Sequence, residues 1–147
     1  MDELLALVQS KYIYIPCILH ISVQAFKVLW ELVVHRKFDF KRILGAGGMP
    51  SSHSTLVTVL TAMVGKNEGF GSPIFAVSLV FALVVMYDAC GVRRAAGKQA
   101  ALLNKIVQTP GLNGLQVQEK LVEVLGHTPI QVIVGAIIGT TVGLIFG

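Results

Sequence analysis

Three long apolar stretches constrain this chain more than anything else in it: residues 12–34, 73–90 and 129–147. A helix needs about 20 predominantly apolar residues to cross a bilayer, and each stretch is close to or above that length. The composition agrees. Hydrophobic residues make up 54% of the chain and charged residues 14%, against roughly 25% charged in an average soluble domain. The net charge of +4 does not point to nucleic acid, because the basic residues flank apolar runs instead of forming a soluble patch interleaved with aromatics. Anionic lipid head groups are their natural partners. Cys17 and Cys90 both lie in apolar runs without a CxxC companion, which reads as two small buried hydrophobes and neither a disulfide nor a zinc site. Asp2 and Glu3 stand where a cleavable signal would be basic, so no signal peptide is expected.

The expected architecture is all-α: a single membrane domain over residues 1–147, a polytopic bundle of about four spans. The first run contains Lys27 and Glu31, four apart and so on one helix face. An ionisable residue inside a span is a functional hypothesis by default; the alternative is a span ending near Phe26, with both charges snorkelling to the interface. A polar loop at 35–48 follows. The second span, 54–64, is short enough to be re-entrant, unless a helix starting at Ser51 and covered by neighbours carries it across. A loop is expected at 65–69, then the third span. An amphipathic helical excursion separates the third and fourth spans: a helix over 92–107, a break at 109–114 with Pro110, Gly111 and Gly114, and a short helix over 115–125 with Leu115, Gln118, Val122 and Leu125 on one stripe. Thr128-Pro129-Ile130-Gln131 reads as a capping box that opens the last helix. In that helix Gly135, Gly139, Gly143 and Gly147 recur every fourth residue. Such a stripe lets another helix approach closely, inside the protomer or, alternatively, in a homo-oligomer through Gly135, Gly139 and Gly143.

Four spans alternate. The loops after the first and third carry nine Lys/Arg (Arg36, Lys37, Lys41, Arg42, Arg93, Arg94, Lys98, Lys105, Lys120), whereas the opposite side carries Lys11 and Lys66. The positive-inside rule puts the basic loops in the cytoplasm and both termini outside.

That topology gathers the unusual polar residues at the cytoplasmic face. Gly47-Gly48-Met49-Pro50-Ser51-Ser52-His53 opens the second helix. A helix N-terminus with free N–H groups and flanking hydroxyls is an anion site, and His53 adds a group that moves protons near neutral pH. Arg93, Arg94 and His127 fall on the same side. Each has a plain structural role available: Ser51 and Ser52 as caps, the arginines as topology anchors, His127 as the residue before a cap. Together they hold what phosphoryl transfer without a metal requires. Arginines can grip phosphate oxygens bidentately, amides and hydroxyls hold the rest, one histidine attacks phosphorus and the other handles the proton. No Asp/Glu/His set has metal-ligand spacing, so no metal is inferred.

Three blocks carry a resemblance: Gly47-Gly48-Met49-Pro50-Ser51-Ser52-His53-Ser54, Tyr87-Asp88-Ala89-Cys90-Gly91-Val92-Arg93-Arg94-Ala95-Ala96-Gly97, and Leu125-Gly126-His127-Thr128-Pro129. In this order they resemble the divergent branch of the type 2 phosphatidic acid phosphatase superfamily, also described as acid phosphatase/vanadium-dependent haloperoxidase-related, over about residues 24–139. Pro50-Ser51-Ser52-His53 is similar to the superfamily's PSGH motif, with Ser52 in place of glycine. The resemblance implies His53 as acid/base, Arg93 or Arg94 as phosphate ligand, His127 as nucleophile and Lys27 as a stand-in for the lysine of a first motif, KxxxxxxRP, that is otherwise missing. Two departures stand out. The arginine and nucleophile are separated by residues 95–126. The carboxylate expected four residues after the nucleophile, which would orient the imidazole and stabilise its cation, is Gln131. Asp88 is the nearest candidate to replace that charge.

The resulting expectation is metal-independent hydrolysis of a phosphomonoester or diphosphate, small or lipid-borne, with no cofactor. A phosphate- or head-group-binding protein without turnover is the first alternative. A haloperoxidase, the case in which vanadate would be a cofactor, is the second, and a purely structural helical protein the third.

Overall fold

The computed structural model describes residues 1–36, 48–108, 121–123 and 125–147, which form helices joined by short connections, with no strand among them. In chain order these are α1 (Asp2–Gln9), α2 (Lys11–His35), α3 (Ser52–Glu68), α4 (Pro73–Cys90), α5 (Val92–Val107) and α6 (Pro129–Phe146). Three stretches, Lys11–Val34, Pro73–Val107 and Pro129–Phe146, are long and apolar enough to cross a membrane. Their large side chains point outward, among them Ile18, Ile21, Val80, Val84, Ile133 and Ile137. Outward Leu, Ile and Val on helices of this length are what a hydrocarbon solvent permits.

The helix ends follow local chemistry. Ser72 caps α4 by accepting the Phe75 amide at 3.2 Å, with Pro73 in the first turn. The capping box of α6 forms as its four residues imply: Thr128 Oγ1 accepts the Gln131 amide and Gln131 Oε1 accepts the Thr128 amide at 2.9 Å. α2 ends where Arg36 takes a left-handed conformation and donates its N–H to Leu32 O.

α3, less apolar than the α2, α4 and α6 helices that surround it, is the core. Val59 and Met63 are fully buried, as are Ser51, Ser54 and Thr55. Its hydroxyls turn back onto their own helix: Thr55 to Ser51 O at 2.9 Å, Thr58 to Ser54 O at 2.7 Å and Thr61 to Val57 O at 2.8 Å. A polar helix can sit in the middle of a membrane bundle when its hydroxyls are satisfied this way. Seventeen residues give about 25 Å of helix, so α3 runs the depth of the bundle among α2, α4 and α6. The re-entrant alternative does not apply. The expected loop at 65–69 is also corrected. Helix continues to Glu68, helped by Asn67 Nδ2 donating to Met63 O at 2.7 Å, and Gly65 lets the rings of Phe70 and Phe75 close over the end.

Side-chain pairs give the directions. Lys11 reaches Asn67 while Lys27 reaches Ser52, so α2 and α3 are antiparallel. Thr61 Oγ1 donates to Ser78 O, and the turn at Gly69 joins α3 directly to an antiparallel α4. α6 runs parallel to α3: a Cβ on Gly135, Gly139 or Gly143 would strike the backbone oxygen of Ser51, Thr55 or Val59 in turn. The glycine stripe is thus filled by α3 of the same chain and leaves no room on that face for a second copy. Lys27 points inward to Ser52, against the snorkelling alternative.

α5 matches the expected helix over 92–107. The short helix over 115–125 does not hold in its described part. Leu121–Glu123 and Leu125 are not helical: the buried Asn104 side chain takes the backbone of Leu121 in both directions, at 2.8 and 3.0 Å, and a helix would need those same groups. Residues 37–47, 109–120 and 124 lie outside the described residues. With them go most of the 35–48 loop, including Lys37, Lys41 and Arg42, the 109–114 break, the start of the 115–125 segment and Lys120.

The α3–α6 seam makes the first prediction. Gly139→Val should destabilise the protein by about 1–3 kcal/mol or more, as overpacking does, since the new Cβ would meet Thr58 Oγ1 and Thr55 O. Gly71→Ala, with open space beside it, should leave the thermal unfolding midpoint in detergent unchanged. Equal midpoints for the two variants would contradict the seam.

Candidate active site

Three helices begin at the same end of the bundle. α3 starts after Ser51, α5 after Gly91 and α6 after Thr128, and each presents the positive end of its dipole there. The chain ties these starts together. The Ser51 amide donates to Gln131 O at 3.1 Å, joining α3 to α6, and the His127 amide donates to Ala89 O at 2.9 Å, joining the α6 approach to the end of α4.

Gly126 brings the two separated motif halves into contact. Its φ of +79° is left-handed backbone, and a Cβ on it would collide with the Arg94 nitrogen and the Arg93 carbonyl carbon. Gly97, one turn further along α5, receives the backbone of Glu123 and Leu125. Glu123, Leu125 and Gly126 therefore lie against the first turns of α5, and His127 follows directly beside the helix start that carries both arginines. The intervening residues of the sequence do not keep arginine and histidine apart.

His127 is 2% exposed. Its Nδ1 faces Gln131 Oε1 at 3.3 Å, and the same oxygen accepts the Thr128 amide. An amide N–H can only donate, so this contact fixes Gln131 with its oxygen toward His127. Nδ1 is then the protonated nitrogen, and Nε2 carries the lone pair. Nε2 is buried without a hydrogen-bond partner among the described residues. Burial holds the imidazole below its ordinary value of 6.5, with the charges of Lys27 and His53 adding to that effect; the Gln131 hydrogen bond and the Gly48 backbone oppose it.

The other expected residues have contacts of their own. His53 is half-buried on the first turn of α3, facing the charges of Arg93, Lys27 and Asp88. Lys27 Nζ donates to Ser52 Oγ across 3.4 Å. Ser51 is wholly buried, and its hydroxyl caps α3 by accepting from the Ser54 amide (3.3 Å) and the Ser54 hydroxyl (2.9 Å); the visible role of Ser51 is structural. Asp88 pairs with Arg93 Nε, so its carboxylate serves the arginine and does not replace the charge lost at Gln131. Arg93 keeps its remaining guanidinium donors. Arg94 is half-buried on the first turn of α5, against Gly126.

Sequence reasoning missed His20. Its ring stands edge-on to that of His53, with centroids 6.3 Å apart and planes at 75°. A signal was present: His20, Gln24, Lys27 and Glu31 fall at i, i+4, i+7 and i+11, a polar stripe down one face of an otherwise apolar helix.

With the geometry in hand, comparison with known proteins is informative. The chain matches the Divergent PAP2 family over residues 8–142. It is also 41% identical over 136 residues to the uncharacterized membrane protein YuiD of Bacillus subtilis, covering 85% of this chain and 86% of that one. No solved structure matches. The chain belongs to the divergent PAP2 family, and it is an integral membrane protein.

Burial of neutral His127 links stability to pH. Unfolding returns the imidazole to its ordinary value, so between the two values the unfolded chain binds more protons. The contribution is complete above about 6.5 and is lost as pH falls through the depressed folded value. Ring titration by NMR in micelles should place the His127 midpoint below 6.5, and His127→Gln should flatten the fall in thermal midpoint between neutral and mildly acidic pH. A His127 midpoint at or above 6.5 would contradict the burial.

Proposed function

We propose that this protein is a metal-independent phosphatase acting on a lipid-borne phosphomonoester or diphosphate at the cytoplasmic face. The observation that carries the reading is His127: a buried ring whose Nδ1 is held by Gln131 and whose Nε2 has no side-chain partner among the described residues, near Lys27 and His53 at the end of the bundle where three helices begin. An apolar nitrogen site would not collect cations, and an anion site would not need an oriented lone pair.

In this reading the phosphoryl group rests against Arg93, Lys27, the Ser52 hydroxyl and the first amides of α3, with Arg94 beside it. Nε2 attacks phosphorus as the bond to the leaving oxygen breaks, and His53 protonates that oxygen. His53, now neutral, takes a proton from water, whose oxygen attacks the phosphohistidine and releases inorganic phosphate and free His127. Arg93, held by Asp88, balances the charge that builds on the equatorial oxygens.

The lipid-borne part rests on a groove of about 740 Å³ between α4 and α6, lined by Leu83, Met86, Tyr87, Val132, Ile133 and Ile137. It ends at Cys90 and Val132, next to Ala89 and Gln131, which anchor the site. An acyl or prenyl chain lying there would put its phosphate at the helix N-termini. The basic residues at this end, Arg36, Arg93, Arg94 and Lys98, against Lys11 and Lys66 at the other, support the cytoplasmic orientation.

Gln131 favours a second reading, in which the protein binds a phosphorylated head group without turnover. Its amide orients His127 but brings no negative charge to stabilise an imidazolium. The readings separate on protein incubated with a ³²P-labelled lipid phosphate in mixed micelles and quenched in alkaline detergent. Catalysis predicts label on wild type that is alkali-stable and acid-labile, and absent from His127→Ala. Gln131→Glu, which keeps the capping box, should raise the rate of labelling roughly tenfold or more, about 1.4 kcal/mol of added charge stabilisation. Tight phosphate binding with no label and no hydrolysis on any variant would leave only the binding reading.

A further inference from the structure

The bundle accounts for one face of α5 and leaves another exposed. The third apolar stretch, Pro73–Val107, is 35 residues long, about 52 Å as helix, whereas the hydrocarbon core of a bilayer is about 30 Å thick. α4 by itself has 18 residues, about 27 Å of helix, and fills that thickness. Helical geometry breaks at Gly91, with φ −102° and ψ −89°, so α5 begins at the membrane boundary as a separate helix.

Around α5 the helical spacing sorts the side chains into three faces. Gly97, Ala100 and Asn104 are buried, and the backbone of Leu121, Glu123 and Leu125 packs on them. Arg94, Lys98 and Lys105 share the next face, with both lysines exposed. Val92, Leu102, Leu103 and Ile106 make the third, interrupted by Gln99, and are 62%, 60%, 50% and 41% exposed. The helix carries Arg93, Arg94, Lys98 and Lys105 and no acidic residue. An apolar face edged by lysines is the pattern of a helix seated in a bilayer interface.

We propose that α5 lies in the plane of the leaflet at which α3 and α6 begin, with Val92, Leu102, Leu103 and Ile106 in the acyl boundary and Lys98 and Lys105 against anionic lipid head groups. Two observations select this occupant. The face is continuous with the lipid-facing surface of α4, whose exposed Val80, Val84 and Tyr87 lead up to Gly91. The basic edge matches the charge of anionic head groups, and the long lysine stems let the ammonium groups stay in water while the helix sinks. Seating α5 in this way also fixes the depth of Arg93 and Arg94, which stand on its first turn. The proposal does not rest on the phosphatase reading.

Site-directed spin labelling tests it on full-length protein in nanodiscs, in a Cys17→Ala, Cys90→Ala background with helical content matched by circular dichroism. Labels introduced through Leu103→Cys and Ile106→Cys should show an oxygen-to-nickel collision ratio at least about threefold above that of a label introduced through Lys98→Cys. High nickel access at all three positions would place α5 in water and overturn the proposal. Labels at 103 and 106 shielded from both reagents would mean that protein covers the face, a second copy or another part of this chain, and would overturn it too. For the head groups, the probes are spin-labelled phosphatidylglycerol and spin-labelled phosphatidylcholine. The first should associate with wild type about twofold more than the second, and Lys98→Gln with Lys105→Gln should lower that preference. Equal association of the two lipids, or a preference that the double variant leaves unchanged, overturns the anionic contact. Neither readout involves turnover, so loss of this proposal and loss of the phosphatase reading are separate results.

Discussion

The close approach of α6 to α3 sets the rest of the molecule. Backbone-to-backbone contact along Gly135, Gly139 and Gly143 fixes the two helices parallel and in register, and register puts Ser51 against Gln131. Parallel packing brings two like dipole ends together, which is unfavourable unless something negative sits there. Among the described residues, the carboxylate at the cluster, Asp88, is already paired with Arg93. The packing that stabilises the bundle therefore creates a site whose electrostatics improve when an anion binds.

Polar residues stand at two different depths for two different reasons. The Thr side chains of α3 are structural, those of Thr55, Thr58 and Thr61 each closing on a carbonyl one turn back. The cations and histidines gather at one end and keep unused hydrogen-bonding capacity, most plainly at His127 and His20. Polarity in the core is satisfied; polarity at the site is not. That contrast separates a helix made polar for packing from residues placed for a ligand.

Much of this was legible in the residues themselves. The capping box at Thr128, the third span at Pro73–Cys90 and the packing use of the glycines follow from local chemistry, and the structure has them where that chemistry puts them. What was not legible depends on contacts distant in sequence. The length of α3 was underestimated because hydropathy cannot register that neighbours cover Thr58 and Thr61. The helix over 115–125 failed because Asn104 competes for the Leu121 backbone. The separation of arginine from histidine looked like a loss of the site, and one glycine at 126 undoes it by allowing two backbones to touch. His20 was passed over because its partner lies on another helix.

Gln131 Oε1 has one more consequence. The same oxygen holds the first amide of α6 and the proton of His127 Nδ1, so the start of a membrane helix and the aim of a reactive nitrogen share one acceptor. Any event on Nε2 that changes how strongly Nδ1 donates alters the grip on Thr128 as well. Occupancy of the site would then be transmitted as firmness or fraying of the first turn of α6, and through the glycine seam to α3. One side chain thereby ties the aim of His127 to the first turn of α6.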